Sequence, residues 1–186
     1  CWNDMGVDII SLSLGGDPDP ETPLGSQTAD AVSDALDHGV FVVAAAGKSG
    51  GAGTGVTDVA VPAIVDCVIA VGSGDQAGSL WERTATGSTT EGADGEPRTE
   101  PNQKPEVSAP GVSIISTSDP SQAVPYSASS GTSAATVFVT GALALILERH
   151  GDALPTSNTT RAGITLVIQA LADSCQPHTS RFNTTA

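Results

Sequence analysis

The sequence predicts an α/β fold: a doubly wound, mostly parallel sheet flanked by helices. Three observations predict it. Val40–Ala46 and Cys67–Gly72 are continuous apolar runs, and Val7–Leu14 is rich in Val, Ile and Leu. Strands without polar alternation are covered on both faces, as in parallel sheets. Between Val7–Leu14 and Val40–Ala46, apolar residues fall at helical spacing, and strands alternating with helices are the mark of βαβ units.

In chain order, the first strand covers residues 7–14 and is closed by Gly15-Gly16. Asp17 to Gly25 carries three prolines and reads as a loop. Ala29, Val32, Ala35 and Leu36 then line one face of a helix over 26–38, with Ser26 as its cap and Gly39 as its stop. Strands follow at 40–46 and 67–72. Residues 81–104 are rich in Thr, Gly, Glu and Pro and read as a polar surface excursion. Order returns at Val107, with a short strand at Ile114-Ile115. A helix over 132–149 presents Ala135, Val139, Ala142, Leu143 and Ile146 on one face. Another over 160–172 starts from caps offered by Asn158-Thr159-Thr160.

Charge narrows the partners. With 21 acidic and 7 basic residues the net charge is -14, which argues against nucleic acid and anionic membranes. No run of 18 apolar residues is present, so no membrane-spanning segment is expected. Scarce lysine (Lys48 and Lys104) beside abundant Asp fits adaptation to high salt, or an ordinary acidic secreted protein. Three cysteines are too few for a disulfide scaffold and lack the close pairs of a zinc site. Cys67, inside an apolar run, reads as a buried thiol; the state of Cys1 and Cys175 is left open. Glu91, Asp94, Glu96 and Glu100 read as a solvated loop rather than a metal cage. The start, Cys1-Trp2-Asn3-Asp4, is neither an initiating Met nor a signal peptide, so the chain reads as a segment of something longer.

The chemistry centres on Gly131-Thr132-Ser133, which opens the long helix. A serine there stands beside free backbone N–H groups and the positive end of the helix dipole, both of which favour an oxyanion. Taken alone, Gly-Thr-Ser would be read as a helix cap. It is not alone. Gly131–Ala135 with Val139–Leu147 resembles the nucleophile helix of the subtilases, the subtilisin-like serine proteases (peptidase S8 type). Ala109-Pro110-Gly111-Val112 resembles their Ala-Pro-Gly turn, and Ser11–Gly16 their substrate-binding strand. Ala44–Gly50 resembles the strand end that carries the oxyanion-hole asparagine, and Val61-Pro62-Ala63 with Val68–Gly72 the stretch after it. The five blocks follow the family's order over residues 5–150. The acidic composition resembles that of a haloarchaeal-type member.

The resemblance implies a secreted serine endopeptidase acting on peptides or proteins, with Ser133 as nucleophile. It implies that Ser13, Leu14 and Gly15 pair with an extended peptide, and that Ala45 and Gly47 border the pocket before the cut bond. It implies no cofactor; calcium is common in the family, but no carboxylate spacing here assigns a site. Oligomeric state is not readable.

Three departures qualify it. The family's catalytic Asp and His belong to motifs expected before residue 1, so residues 1–186 are expected to be a partial catalytic domain, incomplete at both ends and inactive alone. His38, His150 and His178 sit in no such motif. Lys48 stands where the family usually has asparagine, and Ala134, Val137 and Phe138 replace its methionine, proline and histidine after the serine. The alternative is therefore a non-catalytic, subtilase-like peptide-binding or structural domain with a degenerate oxyanion hole. An α/β-hydrolase esterase is disfavoured, because Ser133 lacks the Gly-x-Ser-x-Gly elbow.

Overall fold

The computed structural model describes residues 5–18, 27–50, 59–87, 97–99, 101–121, 123–151 and 161–176. Four parallel strands form the main sheet in the order β1-β2-β3-β4: β1 (Ile9–Leu12), β2 (Phe41–Ala45), β3 (Ile69–Gly74) and β4 (Val107–Pro110). Ile9 pairs with Phe41, Val43 with Ile69 and Val71 with Val107. Every residue of β2 and β3 is buried, which is why those two runs carry no polar alternation. β1 lies at the sheet edge and is only half-buried.

Helices flank this sheet. α1 (Gln27–Asp37) buries Ala29, Val32, Ala35 and Leu36, the face expected from spacing, against β2. α2 (Thr132–His150) lies across all four strands. α3 (Arg161–Ser174) buries Ile164, Val167 and Ile168 and meets α1. The core these elements enclose is almost wholly Ala, Val, Ile and Leu around the fully buried Phe41. Ser26, Asn158-Thr159-Thr160, Cys1, His178 and the four acids at 91–100 lie outside the described residues.

Several boundaries differ from expectation for local reasons. The third strand begins at Ile69, because Cys67 has φ 67° and donates its N–H to Asn102 Oδ1 at 3.1 Å, which ends extension there. The Cys67 thiol is buried and free, and Cys175 is free and exposed. A strand absent from the sequence reading, β6 (Tyr126–Ser129), pairs antiparallel with β5 (Ile114–Thr117). All four of its residues are exposed, so it leaves no apolar signal. On α2 the buried stripe is Thr132, Ala135, Thr136 and Leu143, whereas Ala142, expected inside, is exposed.

Residues 81–104 are not surface throughout. Thr84 and Lys104 are buried. Lys104 Nζ donates to Val68 O at 2.6 Å and to Glu106 Oε1 at 2.5 Å, and Glu106 Oε2 accepts from Ala70 N–H at 2.8 Å. Burial pushes the Lys104 pKa down and the Glu106 pKa up, and each is opposed by the other's charge.

Candidate active site

Parallel strands deliver their carboxyl ends to one edge of a sheet, where open α/β folds place ligands. Here the ends of β1 and β2 and the start of α2 meet at that edge around a cleft of about 330 Å³. Ser13, Leu14 and Gly15 form one wall, Ala45, Gly47 and Lys48 the other, and Ser133 the end. All seven candidate residues from the sequence line this one cleft.

Local geometry explains the meeting. Gly131 is the N-cap of α2 and no side chain caps the helix, so neither Thr132 nor Ser133 is spent on capping. The N–H groups of the first turn have no carbonyl one turn back and face outward. Thr132 is buried; its Oγ1 accepts from Gly47 N–H at 3.3 Å and ties the helix to the end of β2. Ser133 and Ser13 form a reciprocal pair. Ser13 Oγ donates to Ser133 O at 2.9 Å, and Ser133 Oγ donates to Ser13 O at 3.2 Å. The Ser133 hydroxyl is thus oriented but held by one weak bond.

Two glycines make the close packing feasible. Gly47 has φ +107°, which side-chain-bearing residues rarely adopt. A Cβ on Gly131 would lie 3.3 Å from Lys48 Cε and 3.6 Å from its Nζ. The lysine therefore lies against bare backbone at the positive end of α2. An ammonium and a helix N-terminus at one place repel each other and together attract an anion.

The two described histidines do not reach this place. His150 ends α2, seventeen residues after Ser133, or about 25 Å at 1.5 Å per residue. His38 follows α1 and precedes β2, with its Nδ1 2.8 Å from Asp34 O. It lies at the opposite edge of the sheet, about 15 Å away by the length of β2. Neither is placed to take a proton from Ser133. Among the described residues no group of three or more His, Cys, Asp or Glu is placed to hold a metal ion.

Sequence reading missed Asp17, Ala60 and Thr132 as cleft residues. Ala60 arrives through the bridge between Gly16 and Val61 and through its own N–H bond to Ala46 O, 2.8 Å. The bridge joins residues 45 positions apart, and no local pattern announces it. Asp17 was hidden within a loop reading, although its place directly after Gly15-Gly16 was a usable signal.

Comparison with known proteins bears on this arrangement. The sequence profile of the subtilase family matches residues 2–181. Subtilisin DY of Bacillus licheniformis is 40% identical over 146 residues, covering 78% of this chain and 44% of its own. Serine protease AprX of Bacillus subtilis (strain 168) is 34% identical over 170 residues, covering 82% of this chain and 36% of its own. The solved structure of the patellamide maturation protease PatA superposes with a TM-score of 0.69 at 28% identity, covering 97% of this chain and 57% of that one. The chain thus spans less than half the length of these curated relatives.

Proposed function

The chain belongs to the subtilase family, and from that premise we propose that it is the nucleophile-bearing part of a serine endopeptidase. The histidine that serves as general base and then acid, and the aspartate that orients it, come from chain preceding residue 1. The observation that carries this reading is the convergence of Ser133, Lys48 and Ser13–Gly15 on one cleft at the carboxyl edge of a parallel sheet.

In the reaction, an extended peptide lies along Ser13–Gly15 and pairs with that backbone as an added strand. Ser133 Oγ releases its bond to Ser13 O, gives its proton to the histidine and attacks the peptide carbonyl carbon. The new C–O⁻ points at the first turn of α2, where the Ser133 N–H and the Lys48 ammonium stabilise it. Collapse expels the amine, which takes the proton, and water then releases the acyl group from Ser133. Without the histidine the serine is a weak nucleophile, so residues 1–186 alone are inactive.

An open flank supports the need for further chain. β1 is an edge strand, and Val137, Phe138 and Leu145 of α2 are 59%, 51% and 67% exposed. Parallel sheets are normally covered on both faces and large apolar patches are normally covered too. We assign this flank to the preceding segment. α2 is also long and apolar enough to cross a membrane, but its packing over all four strands supports a place inside the domain.

The acidic surface supports an extracellular, high-salt setting. Family membership alone does not fix the compartment, since one relative, 38% identical over 141 residues, is named the major intracellular serine protease of Bacillus subtilis (strain 168). The second reading, a non-catalytic peptide-binding domain, is favoured by Lys48 in place of asparagine and by the engaged Ser133 hydroxyl. A fluorophosphonate probe on the full-length protein decides: labelling of Ser133, absent in Ser133→Ala, is expected. Peptide binding without labelling establishes the second reading.

A further inference from the structure

Among the described residues, two charged ones line the cleft, one of each sign. Lys48 lies against Gly131, at the nucleophile end. Asp17 lies at the other end of the wall that begins with Ser13. Ser13 touches Ser133, and Asp17 is four residues further on, at most about 13 Å away in extended chain. The other described residues that line the cleft are uncharged, and all but Leu14 are small. Ala60 sits between the two walls, since a Cβ on Gly15 would lie 2.8 Å from its Cβ and one on Gly47 3.3 Å.

A side chain entering beside Ser133 therefore meets a cleft whose lining includes one carboxylate, Asp17. Lysine and arginine match that lining, with a long stem and a positively charged tip. They are also the side chains long enough to approach Asp17 from the nucleophile end. A glutamate would bring like charge to Asp17, and a leucine would leave the carboxylate unpartnered by substrate. The charge of -14 adds a long-range attraction for basic peptides.

We propose that Asp17 makes this slot a receptor for a basic side chain, lysine or arginine, on the residue whose carbonyl Ser133 attacks. The proposal rests on the protease reading and names the substrate class for the same site. Asp17 is a specificity-determining residue and takes no part in the bond-breaking step.

The test uses the full-length protein and peptides that differ only in that residue: Arg, Lys, Leu or Glu. The expected kcat/KM order is Arg and Lys above Leu, with Glu lowest. Asp17→Asn should lower the Arg-to-Leu ratio roughly two- to fivefold, the span of an exposed ion pair. The same ratio should shrink between about 0.1 and 1 M salt. A second arm measures binding by calorimetry to the Ser133→Ala protein, using peptides that end in arginine or in leucine. Tighter arginine binding, lost on Asp17→Asn, is expected there without any turnover. Turnover with an Arg-to-Leu ratio that Asp17→Asn leaves unchanged would overturn the proposal and spare the protease. No turnover, with arginine-selective binding that depends on Asp17, would overturn the protease and spare the slot's selectivity. Binding without selectivity, or no binding at all, overturns the proposal.

Discussion

Lys48 concentrates the chemistry of the site at the scale of a single residue. Its ammonium shares the mouth of α2 with the Ser133 N–H, held close because Gly131 has no side chain. In a subtilisin, losing one side-chain donor to the oxyanion costs ~10²–10³ in kcat. Lys48→Ala in the full-length protein is therefore expected to lower kcat on the order of 10²-fold and change KM little, because the contact strengthens only as charge develops. Lys48→Asn should retain activity, since a neutral amide donates from the same strand end. A KM effect with unchanged kcat would mean that Lys48 binds substrate uniformly instead. Ser133 and Lys48 were legible in the sequence because each belongs to a contiguous block. Ala60 and Thr132 were not, because their place in the cleft depends on a β-bridge and on one long-range hydrogen bond.

Ion pairs join the elements in two contrasting environments. Lys104 and Glu106 are 1% and 0% exposed in their side chains and bind backbone groups at Val68, just before β3, and at Ala70 within it. Removing one partner strands a buried charge, so Lys104→Met should cost about 3–5 kcal/mol. In a chain of this size that lowers Tm by roughly 10 °C, measured by calorimetry; a loss below about 1 kcal/mol would mean water reaches Glu106. Arg161 and Asp37 join α3 to α1 at the surface, with Nε 2.5 Å from Oδ1. The hydrogen bond from Arg161 holds Asp37 below its ordinary 3.8. A lowered carboxylate pKa adds stability that is fully present above about 4 and is lost as pH falls through the lower folded value. Melting curves between pH 5 and 2 should show Asp37→Asn with a shallower acid loss than the parent; identical slopes would remove the pair from the account. Legibility at this scale followed burial. β2 and β3, enclosed on both faces, and the amphipathic α1 were readable. β6, exposed along its length, and the buried Lys104 inside a polar stretch were not, since each takes its place only from contacts distant in sequence.

Across the whole molecule, 21 acidic residues face 7 basic ones, while the core that opposes their repulsion is built from small aliphatic side chains around one fully buried Phe. Few large side chains mean modest apolar area per residue, so self-repulsion weighs heavily in the balance. Raising ionic strength from about 0.1 M to above 1 M shortens the Debye length from ~10 Å to ~3 Å, less than the spacing of most surface charges. Repulsion among the excess carboxylates should then be largely removed, and stability should rise. A gain on the order of 1 kcal/mol corresponds to about 2–4 °C in Tm for a chain of this size. Chloride is the salt for the measurement, because sulfate also strengthens apolar burial and would raise Tm for a second reason. Screening further requires that most of the gain arrive by about 1 M, and that replacing several exposed Asp and Glu by Asn and Gln reproduce part of it at low salt. A Tm flat in chloride, or a gain that the neutralised variant retains in full, would leave the acidity as a feature of solubility alone.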